Sequence, residues 1–518
     1  MKRLGADTLA YNRDNVPGPH STPLAFFRKP LATLNVLDAQ TRALREARCE
    51  IMADSAPKPL QIVLGGGACA IQGVGGYKER DPTLNIRPTD PRIYSDGFDF
   101  DKYINTGHID IATHLAIDGD RQLLWSADET RIKSHHFTLP TLRKRPERSQ
   151  EPGDMDGEEN NNDDEDEDEI VGDISIAARH TFDSDGISTR FRGPIGLTDN
   201  GAKLLRSGRE GVAIWDVDSA PVHGSSGKKT IGKKMRRANL MDGSWRDPDD
   251  FEEQVEVSSG SPLTSQLAFD ASLGQVNITG WANDPSDRNK AMIAYTGYEN
   301  YSVFGLDLVT GKRRNRYLGH GACVSHISTL AQDNTVFLSS CGDGVARLYD
   351  VRMSTPVMTM ISTEEQIESS VLVSSGGGLY AFVGSTSYQS IKLWDLRAHC
   401  ALYELSTGNN SVTSLGWDDE HQTLYAATEC TSLDRMGYHH DYRWARAPNW
   451  EEDQWEGEEE EKGWPENATH DEDSFGYLFD AGQHSLFRYG FKDSADVSII
   501  PAYGDGRPSS GDEYGGFW

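Results

Sequence analysis

Two arginines, Arg352 and Arg397, are the residues most suited to bind a partner, because each ends the same kind of run, 45 residues apart. The runs are Tyr349-Asp350-Val351-Arg352 and Trp394-Asp395-Leu396-Arg397. A guanidinium group can donate two parallel hydrogen bonds to one carboxylate, so an arginine that the fold leaves free suits recognition of an acidic side chain. The sequence therefore predicts a partner-binding site with the candidate residues Arg352, Arg397, Asp350, Asp395, Tyr349 and Trp394.

A second set of polar residues, within 318–352, is spaced for a hydrogen-bonded relay inside one small sheet. His320, Asp343 and Tyr349 are candidates, with a strand hydroxyl from Ser339 or Ser340 between them. A buried polar group without a hydrogen-bond partner costs free energy, so such residues are expected to occur together. We assign this structural relay to His320, Ser340, Asp343 and Tyr349.

Patterns typical of catalysis or metal binding are missing from the sequence. The glycine-rich run 64–76 lacks the Lys-Ser/Thr end of a phosphate-binding loop. The pairs His135-His136 and His439-His440 are poorly spaced as ligands, because neighbours on a strand point to opposite faces. No nucleophile elbow is present. The sequence predicts a protein that is not an enzyme, with no catalytic residue, metal or cofactor.

Internal repetition predicts the elements that position the arginines. Strand endings recur at Asp307, Asp350 and Asp395, at spacings of 43 and 45 residues, and each follows a short β-rich run. A fourth ending, Asp216, lies 91 residues before Asp307, which is about two periods. A period of about 40 to 45 residues with four strands per unit is typical of a β-propeller blade. We predict an all-β, seven-bladed propeller, with six recognisable units and a seventh from residues 58–95 or from both chain ends.

The segment 318–352 resembles one complete WD repeat. It has the Gly319-His320 opening, the Asp343-Gly344 turn and the Tyr349-Asp350 close that mark this family. Other units are more degenerate, since residues 107–138 open on Gly107-His108 but have no WD ending. The resemblance implies a WD-repeat propeller that binds other proteins.

The segments 337–352 and 382–397 also resemble the sixteen-residue DWD box, found in many WD-repeat substrate receptors of cullin-RING ubiquitin ligases. The first segment keeps the small residues, Asp343 and the final arginine of the box, whereas the second has Tyr388-Gln389 near the place of the turn aspartate. The resemblance implies a non-catalytic scaffold that recruits targets to such a ligase by binding its propeller-built adaptor. The other interpretation is that these arginines only cap strands.

An N-terminal extension, residues 1–57, is predicted before the propeller at 58–500, and a tail follows at 501–518. Seven-residue spacing of Leu37, Leu44 and Ile51 predicts a helix at 37–54. This helix could pack on the propeller or dock into a partner.

Prolines at positions 57 and 59 are expected to stop the helix. Long, disordered loop insertions are predicted at 140–172, 220–260 and 435–475.

The net charge of −30 is concentrated in two acidic tracts, 151–169 with twelve acids and 451–461 with eight. Such tracts are usually solvated loops, but a flexible polyanion can also compete for basic proteins such as histones. The alternative function is therefore a chromatin or histone-binding WD-repeat scaffold. The basic clusters 142–148 and 227–237 could be nuclear-import signals, so we expect the protein in the nucleus, the cytoplasm or both.

Composition argues against several other classes of protein. Without the twenty charges of the acidic tracts the body carries about −10, which does not suit direct nucleic-acid binding. No run of 18 apolar residues exists, so no membrane span is expected. The six cysteines are scattered without CxxC spacing and the start lacks an apolar signal segment, which predicts a reduced intracellular chain.

Overall fold

Seven four-stranded antiparallel sheets follow one another along the chain in the computed structural model, and they form the blades of a β-propeller. The structure describes residues 39–79, 81–94, 102–108, 111–143, 169–184, 191–223, 232–236, 254–270, 276–297, 300–330, 333–361, 366–386, 390–408, 410–438 and 481–492, together with the short strands 22–23, 468–469, 474–475, 502–503 and 507–508. The prediction of an all-β, seven-bladed propeller is confirmed.

The blades are numbered in chain order, and each is given from its first strand to its fourth. Blade 1 consists of Lys58–Gly65, Ala68–Gly75, Asp81–Pro88 and Lys102–Tyr103. Blade 2 consists of His114–Asp118, Leu123–Ala127, Arg131–Thr138 and Ser175–Asp183. Blade 3 consists of Ile195–Thr198, Lys203–Ser207, Gly211–Asp216 and Ser265–Ala268. Blade 4 consists of Asn277–Asn283, Lys290–Gly297, Asn300–Asp307 and Arg313–Tyr317.

The last three blades complete the ring. Blade 5 consists of Val324–Thr329, Val336–Cys341, Val345–Asp350 and Met358–Ile361. Blade 6 consists of Ser370–Ser375, Gly378–Gly384, Ser390–Asp395 and Cys400–Ser406. Blade 7 consists of Ser411–Asp418, Thr423–Glu429, Ser485–Phe491 and the N-terminal strand Cys49–Ser55. Both sources proposed for the seventh unit therefore form blades, one from residues 58–103 and one from the two ends of the chain.

Remaining elements lie outside the blades. The helices are α1 (Ala39–Glu46) and α2 (Pro91–Tyr94), with a 3₁₀ turn at Tyr77–Glu79. Two hairpins pair Thr141–Arg143 with Glu169–Val171 and Lys234–Arg236 with Gln254–Glu256. Short strands at Thr22–Pro23, Ser474–Phe475 and Ala502–Tyr503 form one further sheet, and Ala468–Thr469 pairs with Arg507–Pro508.

Side-chain hydrogen bonds join the innermost strands of neighbouring blades. Ser414 Oγ of blade 7 accepts from the backbone N–H of Ile62 in blade 1 at 3.2 Å. Gln61 Oε1 accepts from Leu115 N of blade 2 at 2.8 Å, and Ser328 Oγ of blade 5 accepts from Leu372 N of blade 6 at 3.1 Å. These bonds satisfy amides that the blade sheets leave without a partner, so they connect the blades where no ladder runs between them.

Apolar side chains fill the wedges between blades. Between blades 4 and 5, Tyr317 lies edge-on to Phe337 with ring centroids 4.7 Å apart, and Phe337 stacks on Tyr349 at 5.0 Å. All three rings are buried. The strands pack large apolar residues on both faces because each blade has a neighbour on each side.

Helix α1 is shorter than the predicted helix 37–54, because residues 49–55 form the closing strand of blade 7. The helix ends where Ala47 adopts a positive φ of 55° and the Arg48 N–H bonds to the Ala43 carbonyl at 2.8 Å. This is the pattern of a Schellman ending, in which glycine usually occupies the position held here by Ala47.

The prolines also have a different role from the predicted one. Pro59 lies inside the first strand of blade 1, where the register shifts between Pro59 and Gln61, and it does not stop a helix. A proline is tolerated at such a bulge because the ladder bond is already interrupted there.

Parts of the predicted insertions are ordered hairpins. Residues 141–143 and 169–171 form the base of the first insertion, and 234–236 with 254–256 form a hairpin in the second. Residues 151–168 and 451–461 of the acidic tracts, Leu37 and most of 435–475 lie outside the described residues.

Replacing Ile51 by alanine is expected to destabilise the ring closure. Ile51 is 4% exposed and pairs in register with Tyr489, so the truncation leaves a cavity in blade 7 and should cost about 2 kcal/mol or more of unfolding free energy. Chemical denaturation measures the change. Met52→Ala is the matched control, because Met52 is 44% exposed on the same strand and should change stability by no more than about 0.5 kcal/mol. Equal losses in the two variants would contradict the described closure.

Candidate functional site

The two candidate arginines lie at equivalent positions of neighbouring blades. Arg352 directly follows the turn residue after the third strand of blade 5, and Arg397 has the same place after the third strand of blade 6. Equivalent strands of consecutive blades run in the same direction, so both arginines lie on one face of the ring. Both are exposed, and the side chain of Arg352 is 75% exposed.

Arg352 forms a two-pronged ion pair with its own Asp350. Its Nε donates to Oδ1 at 2.8 Å and its Nη2 to Oδ2 at 2.5 Å, and the backbone N–H of Arg352 also donates to Oδ1 at 2.9 Å. Hydrogen bonds from the guanidinium and this N–H lower the pKa of Asp350 to about 2. The guanidinium thus faces solvent while one edge is occupied by an acid of the same chain.

Asp395 has a different partner. Its Oδ1 accepts the backbone N–H groups of Arg397 and Ala398, each at 3.0 Å, and its Oδ2 accepts a hydrogen bond from Nη1 of Arg45 in helix α1. The side chains of Asp395 and Arg45 are 5% and 10% exposed, so this pair is internal. Asp395 therefore ties helix α1 to blade 6 and is not positioned to touch a partner.

The two aromatic residues of the motif also face inward. Tyr349 is fully buried, and its Oη donates to the Leu318 carbonyl at 2.7 Å. Trp394 is partly buried and packs against the core between blades 5 and 6. The sequence predicts both as partner-binding residues, but their burial gives them a packing role. Of the six candidates, Arg352, Arg397 and, through its ion pair, Asp350 are at the surface.

The predicted relay in blade 5 is divided between two sets of residues. His320 Nε2 lies 2.9 Å from Ser339 Oγ and 3.4 Å from Tyr349 Oη. Asp343 is paired instead with Arg347, at 3.0 and 2.6 Å, and accepts the Gly321 N–H at 2.7 Å. Burial lowers the pKa of His320 to about 4.

The prediction that Ser340 belongs to the relay is wrong, because its Oγ lies 2.7 Å from Ser370 Oγ of blade 6 and not beside His320. Neighbouring residues on a strand point to opposite faces, so Ser339 and Ser340 cannot both serve one relay. Ser339 holds the relay position, and Ser340 links two blades.

Three members of such a relay, a histidine, a serine and an aspartate, come together in blade 2, whose sequence has no WD ending. His108 Nε2 lies 2.8 Å from Ser126 Oγ, and its Nδ1 lies 3.1 Å from Asp128 Oδ2. Burial lowers the pKa of His108. Burial alone would raise the pKa of Asp128, but the bonds from His108 and from backbone N–H groups hold it well below its usual value. The pattern in the sequence that indicates these contacts is Gly107-His108 followed by Ser126 and Asp128.

The second insertion returns to blade 2 and buries an acid there. Lys133 Nζ lies 3.1 Å from Glu256 Oε2 and donates to the Glu256 carbonyl at 2.6 Å, and Thr181 Oγ1 donates to the same carboxylate at 3.0 Å. Burial lowers the pKa of Lys133 to about 8. Lys133 and Glu256 are both buried, so they anchor the returning segment.

The described residues contain no group of three or more histidine, cysteine or acidic side chains placed to hold a metal ion. Within the same part of the chain, the helices fall short of the length and apolarity that a membrane crossing needs.

The chain matches no known protein-family model, and no curated protein matches it in sequence. The seven-bladed arrangement is consistent with a WD-repeat-like fold. A β-propeller is commonly a non-catalytic interaction scaffold.

Acid is expected to destabilise the protein between pH 6.5 and 4 through buried histidines of blade 2. Burial lowers the pKa of His135 to about 3 and that of His180 to about 4, whereas both return to about 6.5 on unfolding. Below pH 6.5 the unfolded chain binds protons that the folded chain cannot. The stabilisation is therefore complete above pH 6.5 and is lost as the pH falls, by up to about 1.4 kcal/mol per pH unit for each group.

Denaturation at pH 7, 5.5 and 4.5 measures this slope. His135→Gln should give a shallower decline than the wild type, and His399→Asn, at an exposed turn, should not. An unchanged slope in His135→Gln would show that this histidine is not held neutral.

Proposed function

We propose that this chain is a non-catalytic WD-repeat scaffold that serves as a substrate receptor of a cullin-RING ubiquitin ligase and binds the ligase through its adaptor. The observation that carries the proposal is the exposure of Arg352 and Arg397 at equivalent positions of consecutive blades. The fold does not need these guanidinium groups, since the blades are closed by the buried residues before them. Their resemblance to the ends of two DWD boxes names the adaptor as the partner.

Apolar side chains beside Arg352 support a protein interface on this part of the molecule. Met353, Leu318 and Val357 are 49%, 42% and 44% exposed. They are held near one another because the Leu318 N–H donates to the Ser354 carbonyl at 2.8 Å. Interface centres are enriched in arginine, methionine and aromatic residues, and a few such residues contribute most of the binding energy.

Nuclear or cytoplasmic residence is part of the same proposal. In the basic cluster 227–237 the described residues Lys233 and Lys234 are exposed. An import receptor binds exposed lysines, and these two lysines suit that role. The first cluster, 142–148, is described only at residues 142 and 143.

Combining Arg352→Ala with Arg397→Ala is expected to abolish binding to the purified ligase adaptor. Neither guanidinium is buried in the core, so the melting temperature should stay close to that of the wild type. Co-purification and surface plasmon resonance measure the binding, and circular dichroism measures the melting. Arg313→Ala, an exposed arginine of blade 4, is the matched control. A folded double variant that binds the adaptor normally would refute the proposal.

A second candidate function is a chromatin or histone-binding scaffold, favoured by an acidic cavity of about 370 Å³ between the turns of blades 2, 3 and 4. Asp118, Asp120 and Asp199 line it against one arginine, Arg288. Asp199 is paired with Lys203 at 2.6 Å, whereas Asp120 is exposed. This wall and the acidic tracts both suit basic side chains.

Deleting residues 151–169 is expected to weaken binding of a histone-tail peptide, and the loss should shrink as salt rises, because screening removes the attraction of exposed charges. Fluorescence anisotropy at 50 and 300 mM salt, concentrations chosen roughly to bracket strong and weak screening, measures the effect. A variant with the deleted acids replaced by the same number of serines and glycines controls for loop length. Unchanged affinity after deletion removes this candidate.

A further inference from the structure

The two arginines follow the same motif but differ in how their guanidinium groups are occupied. Arg352 is held by Asp350 through two hydrogen bonds. Among the described residues, the guanidinium of Arg397 has neither a hydrogen-bond acceptor nor an ion pair, and only its backbone N–H reaches Asp395. The aspartate, two residues before each arginine, is the same in both blades, so the motif itself does not explain the difference.

Helix α1 explains why the guanidinium groups of Arg352 and Arg397 are occupied differently. Arg45 places Nη1 on Asp395 Oδ2 and also donates to Tyr380 Oη at 3.3 Å, with its guanidinium carbon 5.9 Å from the Tyr380 ring centre. Two backbone N–H groups occupy the other oxygen, Oδ1. Both oxygens of Asp395 are therefore engaged inside the protein, and Arg397 is left outside.

The position of Arg45 is fixed by the contacts of its helix. Tyr403 Oη donates to the Leu44 carbonyl at 2.6 Å, and Thr41 Oγ1 lies 3.3 Å from Ser375 Oγ. Ala43 and Leu44 are fully buried beside them. The helix thus packs on blades 6 and 7, and this packing fixes the backbone that carries Arg45.

We propose that Arg45 is a positioning residue that keeps Arg397, and not Arg352, available to bind a carboxylate on the partner protein. Because Arg45 of the helix is paired with Asp395, the Arg397 guanidinium remains exposed to solvent. A partner carboxylate that reaches Arg352 finds the Nε–Nη2 edge already occupied by Asp350, whereas one that reaches Arg397 can use either edge of the guanidinium. The identity of the partner as the ligase adaptor rests on the proposed function; the difference between the arginines does not.

The difference is tested first without any partner, by the reaction of each arginine with phenylglyoxal. Peptide mass spectrometry of the full chain measures the two rates. Arg397 should react roughly two- to fivefold faster than Arg352, the range given by an exposed ion pair. Asp350→Asn is a surface change that should not unfold the protein, and it should raise the rate at Arg352 to that of Arg397. Equal rates in the wild type, or no change in Asp350→Asn, would overturn the inference.

The role of Arg45 is tested by Arg45→Met. This change leaves Asp395 without its cation, so Arg397 should fold back onto Asp395 as Arg352 does onto Asp350, and its phenylglyoxal rate should fall to that of Arg352. Adding Asp395→Asn removes the acid that captures Arg397 and should restore the rate. If the single variant unfolds, the double variant Arg45→Met with Asp395→Asn still tests the proposal, because it has no uncompensated charge. A low phenylglyoxal rate at Arg397 in that double variant would contradict the proposal.

The same variants against the purified adaptor connect the inference to binding. Arg397→Ala should weaken binding at least about tenfold and Arg352→Ala less than about threefold, as expected for a hot-spot and a neighbouring residue. Equal losses would overturn the inference while leaving the proposed function standing. No adaptor binding by the wild type would reject the proposed function, and the phenylglyoxal rates would then still decide which arginine is free.

Discussion

Closure of the ring depends on one pairing, that of the N-terminal strand Cys49–Ser55 with Ser485–Phe491. Every blade of a propeller needs a neighbour on both faces, so an incomplete blade 7 would expose the apolar residues of blades 1 and 6 as well as its own. The antiparallel ladder across seven residue pairs joins the two ends of the chain and gives blade 7 its fourth strand. The hydrogen bond from the Ile62 N–H to Ser414 Oγ then joins blade 7 to blade 1.

The same closure brings helix α1 to blade 6, and the helix changes which arginine pairs with the repeated aspartate there. Asp350 and Asp395 occupy equivalent positions, yet one faces an arginine of its own turn and the other an arginine 350 residues away. Repetition builds the blades, but the segments that cross between them differ from blade to blade. In this molecule the ion pair of a repeated aspartate is set by an element that the repeat does not contain.

Sequence periodicity was sufficient to predict the propeller because strand endings at Asp307, Asp350 and Asp395 report a local spacing. It was not sufficient for the end of helix α1, since Ala47 takes the positive φ that glycine usually signals. The Arg45–Asp395 pair could not be predicted, because two residues so distant in sequence show no local pattern. The blade 2 relay was missed for a different reason: His108, Ser126 and Asp128 were visible, but the absence of a WD ending hid their connection.

The place of the third insertion has a consequence for synthesis of the chain. Residues 430–484 separate the second strand of blade 7 from its third, and only that third strand offers an edge to Cys49–Ser55. The closing strand therefore leaves the ribosome early and waits for some 430 further residues. At about 5–20 residues per second, the delay is roughly 20 to 90 seconds. During that time Ile51 has no partner strand to cover it, which makes the nascent chain a natural client for molecular chaperones.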